Sequence, residues 1–187
     1  SKDPKTIAKL VIEGRYSEPY IPEGIYAELR TGMLERARII KELNTIKNRM
    51  ERWFKIYFPE YKQVFSDFEG LGSMTVLEKA PLPKDILELG IDGINGLWRA
   101  KKVRVVGIKR ATSLYSAAIR SIGVTETLEM ARFEIEVHLA DYRHKMNQYE
   151  CIMLLIEGLC LRIKGVDKVL EIKGIGLITI AGFLAEV

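Results

Sequence analysis

The chain has 187 residues, of which 48% are hydrophobic and 29% are charged, and its formal net charge is +4. This composition excludes a disordered chain, because enough residues are apolar to build a core. No stretch approaches the roughly 20 apolar residues that a membrane span needs, so a membrane partner is not expected. Residues 1–14 interleave lysines with apolar residues and lack the continuous apolar segment of a signal peptide.

The N-terminal segment predicts a short helix and then a linker. Asp3 is a suitable N-cap, Pro4 suits the first helical position, and Gly14 suits the position just past the end. Residues 15–22 contain two prolines and are expected to be extended. Segment 1–22 is therefore expected to be separate from the helical region that begins at residue 23.

Two long segments have the apolar periodicity of coiled coils. The first covers residues 23–58, and the second, from Leu128 to Ile163 within residues 125–164, has a heptad seam that only Arg132 interrupts. A helix of the second segment's length would be about 60 Å long. A compact domain does not need such a helix, so the seams favour an intramolecular hairpin, a dimer or both, and we expect both.

Residues 59–124 are interrupted by glycines and prolines and predict a small helical insert at the tip of the hairpin. We expect short helices at 62–68, 73–79, 84–89, 91–100 and 108–122. Val103, Val105 and Val106 could form a strand, although the sequence offers no second strand to pair with it.

The insert has the strongest charge asymmetry of the chain. Between Leu97 and Gly123 there is no Asp or Glu, and the region suits binding to phosphates. The nucleic-acid-binding candidates in this region are Arg99, Lys101, Lys102, Arg104, Lys109 and Arg110. Trp98 and Tyr115 lie among them and could stack on bases, although core packing is the ordinary interpretation. The alternative for the whole set is a solvated basic face without a ligand.

The C-terminal residues 165–187 contain a glycine hairpin between two apolar segments. Gly174 and Gly176 would let backbone N–H groups face outward at the start of the second helix, where they can hold a phosphate. Lys168 and Lys173 flank this hairpin, as does Lys164. It resembles half of a helix-hairpin-helix DNA clamp, and an ordinary glycine turn between core helices is the alternative.

Other chemistry has little support in the sequence. His138 and His144 are not at the spacing of metal ligands on one helical face. Cys151 and Cys160 would lie about 13 Å apart along one helix, too far for a disulfide. A reducing cytoplasm is therefore the expected location.

Several segments, in order, resemble the middle of the DEDD-type insertion-sequence transposases. They are Asp3–Leu10, Gly14–Tyr16, Pro22–Arg30, Tyr57–Tyr61, Ser121–Gly123 and Ile172–Gly176. In that family a RuvC-like domain with four Mg²⁺-binding acids precedes a coiled coil, and a C-terminal transposase domain carries a catalytic serine. The resemblance implies a parent enzyme that moves a DNA element and uses a guide RNA.

The resemblance also changes the interpretation of Asp3, because this residue aligns with the last of the four acids. From the residues alone, Asp3 is best explained as a helix cap. The resemblance implies that it is a catalytic Mg²⁺ ligand in the intact enzyme, while it still serves as the N-cap in this chain. The other acids and the serine are expected outside the chain, so segment 1–22 would be the remnant of the catalytic domain. We expect a catalytically incomplete fragment that binds no cofactor itself.

Together these features predict an all-α, elongated antiparallel coiled-coil hairpin with a small helical insert at its tip. The predicted function is a central dimerising and nucleic-acid-binding fragment of a DNA transposase. The alternative is a structural coiled-coil dimerisation module that does not bind nucleic acid.

Overall fold

The computed structural model describes residues 9, 12–14, 23–126 and 128–186. This part of the chain is helical and contains no strand, which confirms the predicted all-α class. Its helices are α1 (Gly24–Tyr57), α2 (Tyr61–Val64), α3 (Leu71–Leu77), α4 (Pro83–Ala100), α5 (Ile108–Ile119), α6 (Leu128–Leu161), α7 (Val166–Leu170) and α8 (Leu177–Leu184).

The contacts divide the chain into two units. The central unit is Arg36–Cys151, and the terminal unit combines Ser1–Glu35 with Ile152–Val187. The long helices α1 and α6 each contribute residues to both units. The predicted segments 23–58 and 125–164 are thus each shared between two packing groups.

Within the central unit, α1 and α6 pack side by side in opposite directions. The indole N–H of Trp53 donates to the carbonyl oxygen of Ala131 at 2.8 Å, and Lys145 Nζ lies 2.5 Å from Glu42 Oε2. The partner's residue number on α6 falls as the residue number on α1 rises, which is the signature of an antiparallel pair. The predicted hairpin is confirmed.

The predicted heptad seams form the interface between these two helices. The buried seam residues of the central unit include Ile39, Leu43, Ile46, Met50 and Phe54 from α1, and Ile135, Leu139 and Tyr142 from α6. Arg132, which interrupts the seam, lies 2.6 Å from Asp85 in α4. The charge at this seam position is thus paired and does not disturb the apolar packing.

The insert is built around an aromatic cluster. The ring of Tyr61 stacks on Phe54 at 4.9 Å between centroids, and its hydroxyl lies 2.8 Å from the Ser73 hydroxyl. Burial raises the pKa of Tyr61 well above its usual range. Trp98 is fully buried, and its indole N–H donates to the carbonyl oxygen of Gly72 at 2.8 Å. The cluster holds α1, α2, α3 and α4 together.

The connection between α5 and α6 is hydrogen-bonded to the C-terminal end of α1. The Val124 amide donates to the Ile56 carbonyl oxygen at 3.0 Å. A Cβ added to Gly123 would lie 2.2 Å from the Tyr57 carbonyl oxygen, so only glycine fits this close approach of two backbones. The segments Tyr57–Tyr61 and Ser121–Gly123, which carried part of the family resemblance, therefore meet in space.

Glu60 completes this connection. Its carboxylate accepts the Ile122 amide at 3.1 Å and is 9% exposed. Burial by itself would raise the pKa of this carboxyl, but hydrogen bonds from Ser121 and Ile122 together with the charge of Arg120 lower it overall. The ionised form of Glu60 is thus part of the folded connection.

Some predicted element boundaries differ from the observed ones. The break predicted between 84–89 and 91–100 is observed within α4, because Gly90 has the non-helical angles φ 65° and ψ 175°. Helix α5 ends at Ile119, before the predicted 122. Residues 101–107 are irregular rather than a strand, since the described residues contain no partner strand for the three valines.

The terminal unit has its own apolar core, in which α8 packs against the N-terminal part of α1. The buried members are Leu29, Ile156, Cys160, Val166, Ile180 and Ala181. Both cysteines are free, as predicted, with Cys160 buried and Cys151 exposed. Burial raises the pKa of the Cys160 thiol. The described helices include none that is both long enough and apolar enough to cross a bilayer.

The predicted N-terminal helix lies mostly outside the described residues. Of the residues described there, the Glu13 amide donates to the Lys9 carbonyl oxygen at 3.0 Å, a helical contact, and Gly14 has φ 64°. Asp3, Pro4 and the linker at 15–22 are outside the described part of the chain.

Candidate nucleic-acid interface

The cationic residues of the insert lie on the connection between α4 and α5, residues 101–107, and on the helix ends that flank it. Helix α4 ends in a Schellman motif: the Val103 amide donates to the Trp98 carbonyl oxygen at 2.9 Å, and the Lys102 amide donates to the Arg99 carbonyl oxygen at 3.0 Å. The residue at the left-handed position of this motif is Lys102, with φ 55°.

A lysine at that position is informative. Helices usually place glycine there, because a Cβ disfavours the left-handed conformation by roughly 1 kcal/mol. Apart from the glycines, Lys102 is alone among the described residues in having a positive φ. Residues held in such conformations cluster at functional sites, so the backbone geometry supports a role for this charge.

A cavity of about 470 Å³ opens beside this connection. Phe65, Leu71 and Val106 contribute apolar surface, while Lys102 and Arg104 contribute charge. Arg110 completes the basic side. The arrangement combines an apolar surface with cations at the same opening, which suits a planar or apolar group attached to a phosphate.

Gly72 brings the valine segment of the connection close to α3. A Cβ added to Gly72 would lie 2.8 Å from a γ-carbon of Val106, so the absence of a side chain permits this approach. Because the Gly72 carbonyl also accepts the Trp98 indole N–H, the connection is positioned by the aromatic cluster beneath it.

The predicted binding residues fall into two groups. Lys101 lies 2.5 Å from Glu78, and Arg110 donates to the Val64 carbonyl oxygen at 2.6 Å and lies over the Phe65 ring. Both of these cations have internal partners. The others are exposed and make no ion pair with any described residue; they are Arg99, Lys102, Arg104 and Lys109.

The start of α5 places two cations in the first helical turn. A helix dipole disfavours positive charge there. For Arg110 the Val64 carbonyl and the Phe65 ring compensate this cost, so a bound anion is not needed to explain its placement. Lys109 is exposed and has no such contact among the described residues.

The aromatic residues between these cations do not form a stacking platform together. Trp98 is 0% exposed and belongs to the core, and Tyr115 is half-buried. Phe65, which the charge pattern could not indicate, is the aromatic residue that lines the cavity. Its distance in sequence from the basic segment hid this contact, and no local signal could have revealed it.

The second predicted set lies in the terminal unit. Gly174 has φ 96° and Gly176 caps the start of α8 in an extended conformation, and both are exposed. Lys164, Lys168 and Lys173 are exposed as well. Of the first-turn amides of α8, the Thr179 amide donates to the Gly176 carbonyl oxygen at 3.0 Å. The Leu177 and Ile178 amides lie at helix positions that have no intrahelical acceptor, so these two could meet an anion at this end.

No group of three or more His, Cys, Asp or Glu side chains among the described residues could hold a metal ion. Asp3, the predicted catalytic and Mg²⁺-binding residue, lies outside those residues. His138 is buried with its Nε2 3.5 Å from Glu134, and His144 is exposed beside Gln148.

Comparison with known proteins adds no relative: no family model, no curated protein and no solved structure matches this chain.

Proposed function

We propose that this chain is the central, dimerising and nucleic-acid-binding part of a DNA transposase. Its insert would bind the phosphate backbone of DNA through the α4–α5 connection. The observation that carries the proposal is the exposed charge of Arg99, Lys102, Arg104 and Lys109, which make no ion pair with a described residue. Lys102 and Arg104 also line the cavity. Cations without internal partners lose no ion pair when they bind a phosphate.

The left-handed conformation of Lys102 supports the same proposal. A lysine in place of the favoured glycine costs stability, and charge directed at a ligand would account for retaining it. Phe65 and the valines in the cavity wall could contact a base that is not stacked in a duplex.

The transposase assignment rests on the sequence motifs. In the proposed parent enzyme, Asp3 would join other acids in holding Mg²⁺, and the reaction would take place in the cytoplasm. Asp3 is outside the described residues, so its role in that chemistry depends on the family resemblance. A guide RNA is the other nucleic acid that the proposal includes.

Fluorescence anisotropy with a labelled DNA duplex at about 50 and 200 mM salt tests the binding part of the proposal. We expect the affinity of the chain to fall by at least tenfold over this range, because several phosphate contacts release counterions. The double variant Arg104→Ala/Lys109→Ala should bind more weakly, and its slope of log affinity against log salt should be smaller by about 2.

Lys84→Ala is the matched control, because Lys84 is an exposed cation at the other end of α4. It should leave both affinity and slope nearly unchanged. Absence of DNA and RNA binding at 50 mM salt by the folded chain would contradict the proposal and favour a purely structural coiled-coil module. Binding to a structured RNA alone would assign the connection to the guide RNA.

A further inference from the structure

The guanidinium group of Arg110 is held in place on one side and accessible on the other. Its Cζ atom lies over the Phe65 ring, 5.3 Å from the ring centroid, and its Nη1 donates to the Val64 carbonyl oxygen at 2.6 Å. The ring covers one side of the planar group, and the hydrogen bond limits its rotation. Because Arg110 is exposed and lines the cavity of about 470 Å³, its other side borders that cavity.

The support beneath Arg110 belongs to the aromatic cluster of the insert. Phe65 is 5% exposed, and it stacks on Tyr61 with 5.3 Å between ring centroids. Its edge meets the Trp98 ring at 6.3 Å and an interplanar angle of 76°. Buried rings thus fix the position of the guanidinium, so a ligand that stacks on it needs to order little of the protein.

The rest of the cavity combines apolar walls with positive charge. Leu71 is 61% exposed and Val105 is 92% exposed, so large apolar side chains face solvent at the opening. Lys102 and Arg104 line the same cavity, and none of the described residues in its lining is acidic. Its volume lies within the range of roughly 300–1,000 Å³ that is usual for small-molecule clefts. The lining suits a ligand with a flat apolar part and a negative charge.

We propose that this cavity binds one unpaired nucleotide, whose base stacks on the accessible side of Arg110 while Lys102 and Arg104 hold the adjacent phosphates. The inference rests on the proposed function and specifies the form of nucleic acid that the connection takes. Unpaired bases stack on arginine guanidinium planes as they do on aromatic rings. A base inside a duplex already stacks on its neighbours and has to leave them to enter a pocket.

The guanidinium plane is what favours a nucleotide over an acidic peptide. Both ligands would be attracted by Lys102 and Arg104, and both could contact the apolar wall. A nucleobase is rigid and flat, so it covers the plane of Arg110 without losing rotamer freedom. An aliphatic side chain of a peptide has no such matching surface.

Abasic substitution in single-stranded DNA separates the base contact from the phosphate contacts. Fluorescence anisotropy would compare a labelled oligothymidine with a strand of the same length made of abasic nucleotides, which has the same charge and no bases. We expect the dissociation constant of the abasic strand to be at least fivefold higher, because stacking of a base contributes to affinity.

The variant Arg110→Lys tests the platform, because lysine keeps the charge and removes the planar group. Its affinity for oligothymidine should fall at least fivefold, towards that of the abasic strand. Its affinity for the abasic strand and the slope of log affinity against log salt should stay nearly unchanged. Binding of the abasic strand also shows that the variant is folded.

Arg120→Lys is the matched control. Arg120 is exposed and caps the other end of α5, about 15 Å from Arg110 along the helix axis and outside the cavity lining. The same substitution there should change the affinity for neither strand.

Equal affinity of the wild type for the two strands would overturn the inference, as would an Arg110→Lys variant that binds oligothymidine as well as the wild type. Displacement of both strands by an acidic peptide would then assign the cavity to a protein. Base-dependent binding seen with oligouridine and not with oligothymidine would support the inference and identify the nucleotide as RNA. Duplex binding is measured separately, so the phosphate contacts of the proposed function can hold when the base contact fails.

Discussion

The two irregular connections that flank α5 differ in how they use their polar groups. The α5–α6 connection directs its amides inward, onto the Ile56 carbonyl and the Glu60 carboxylate. The α4–α5 connection directs Lys102 and Arg104 outward, and neither side chain makes an ion pair with a described residue. Of two short connections in one helical unit, one thus closes onto its neighbours, while the other leaves exposed the charges on which the proposed binding depends.

Substitution of the glycine in each connection gives the largest expected contrast. Gly123→Ala should lower the free energy of unfolding by about 3 kcal/mol or more, because the new Cβ would collide with the Tyr57 carbonyl. Gly107→Ala, in the α4–α5 connection, meets nothing within 4 Å and should cost less than about 1 kcal/mol. Urea denaturation measures the free energy of unfolding of both variants. Equal losses of stability would contradict the difference between the two connections.

The carboxylate of the closed connection should give it a pH dependence. At pH 7, Glu60→Gln should lower the free energy of unfolding by about 1–3 kcal/mol, because it replaces a buried, hydrogen-bonded charge. Because folding lowers the pKa of Glu60, its contribution is complete above the ordinary value of 4.5 and is lost as the pH falls through the lower folded value. Thermal unfolding of the wild type and of Glu60→Gln should show that their difference in melting temperature becomes smaller as the pH falls from 7 to 3. A difference that grows in acid would refute this role of Glu60.

Arg110 allows a test of how firmly the binding connection is held. Arg110→Ala removes the hydrogen bond to Val64 and the contact with the Phe65 ring, and should cost about 1 kcal/mol. Urea denaturation checks this value. The matched variant Lys109→Ala, one residue earlier and exposed, should change the stability by less than about 0.5 kcal/mol.

The smallest expected effect has opposite signs in two measurements. Lys102→Gly should stabilise the chain by about 0.5–1 kcal/mol, since glycine adopts φ 55° without steric cost. The same change should weaken binding to the DNA duplex. Parallel urea titrations and anisotropy measurements check both signs. A variant that is more stable and binds DNA as well as the wild type would contradict the proposed role of Lys102.

The long helices were predictable because heptad spacing is a local pattern that survives in the folded protein. Ile135, Leu139 and Tyr142 are buried where the seam placed them. Arg132 lies on the same seam, and its partner Asp85 could not be predicted from the spacing because the two residues are 47 positions apart in the sequence.

The candidate site was predictable in its charges and not in its geometry. The absence of acids between residues 97 and 123 marked the basic segment. The pairing of Lys101 with Glu78, the contact of Arg110 with Phe65, and the left-handed Lys102 depend on tertiary packing. Such contacts join positions distant in sequence, and a pattern of neighbouring residues does not contain them.

The closure at Gly123 has a consequence for the order of folding. Ile122 and Glu60 are 62 residues apart, and bringing the ends of a loop of that size together costs about 4 kcal/mol of chain entropy. Helices α1 and α6 cannot pair next to the insert until this cost has been met. The aromatic cluster lies within that loop and shortens it as it forms, so collapse of the insert should precede pairing of the two long helices in the central unit.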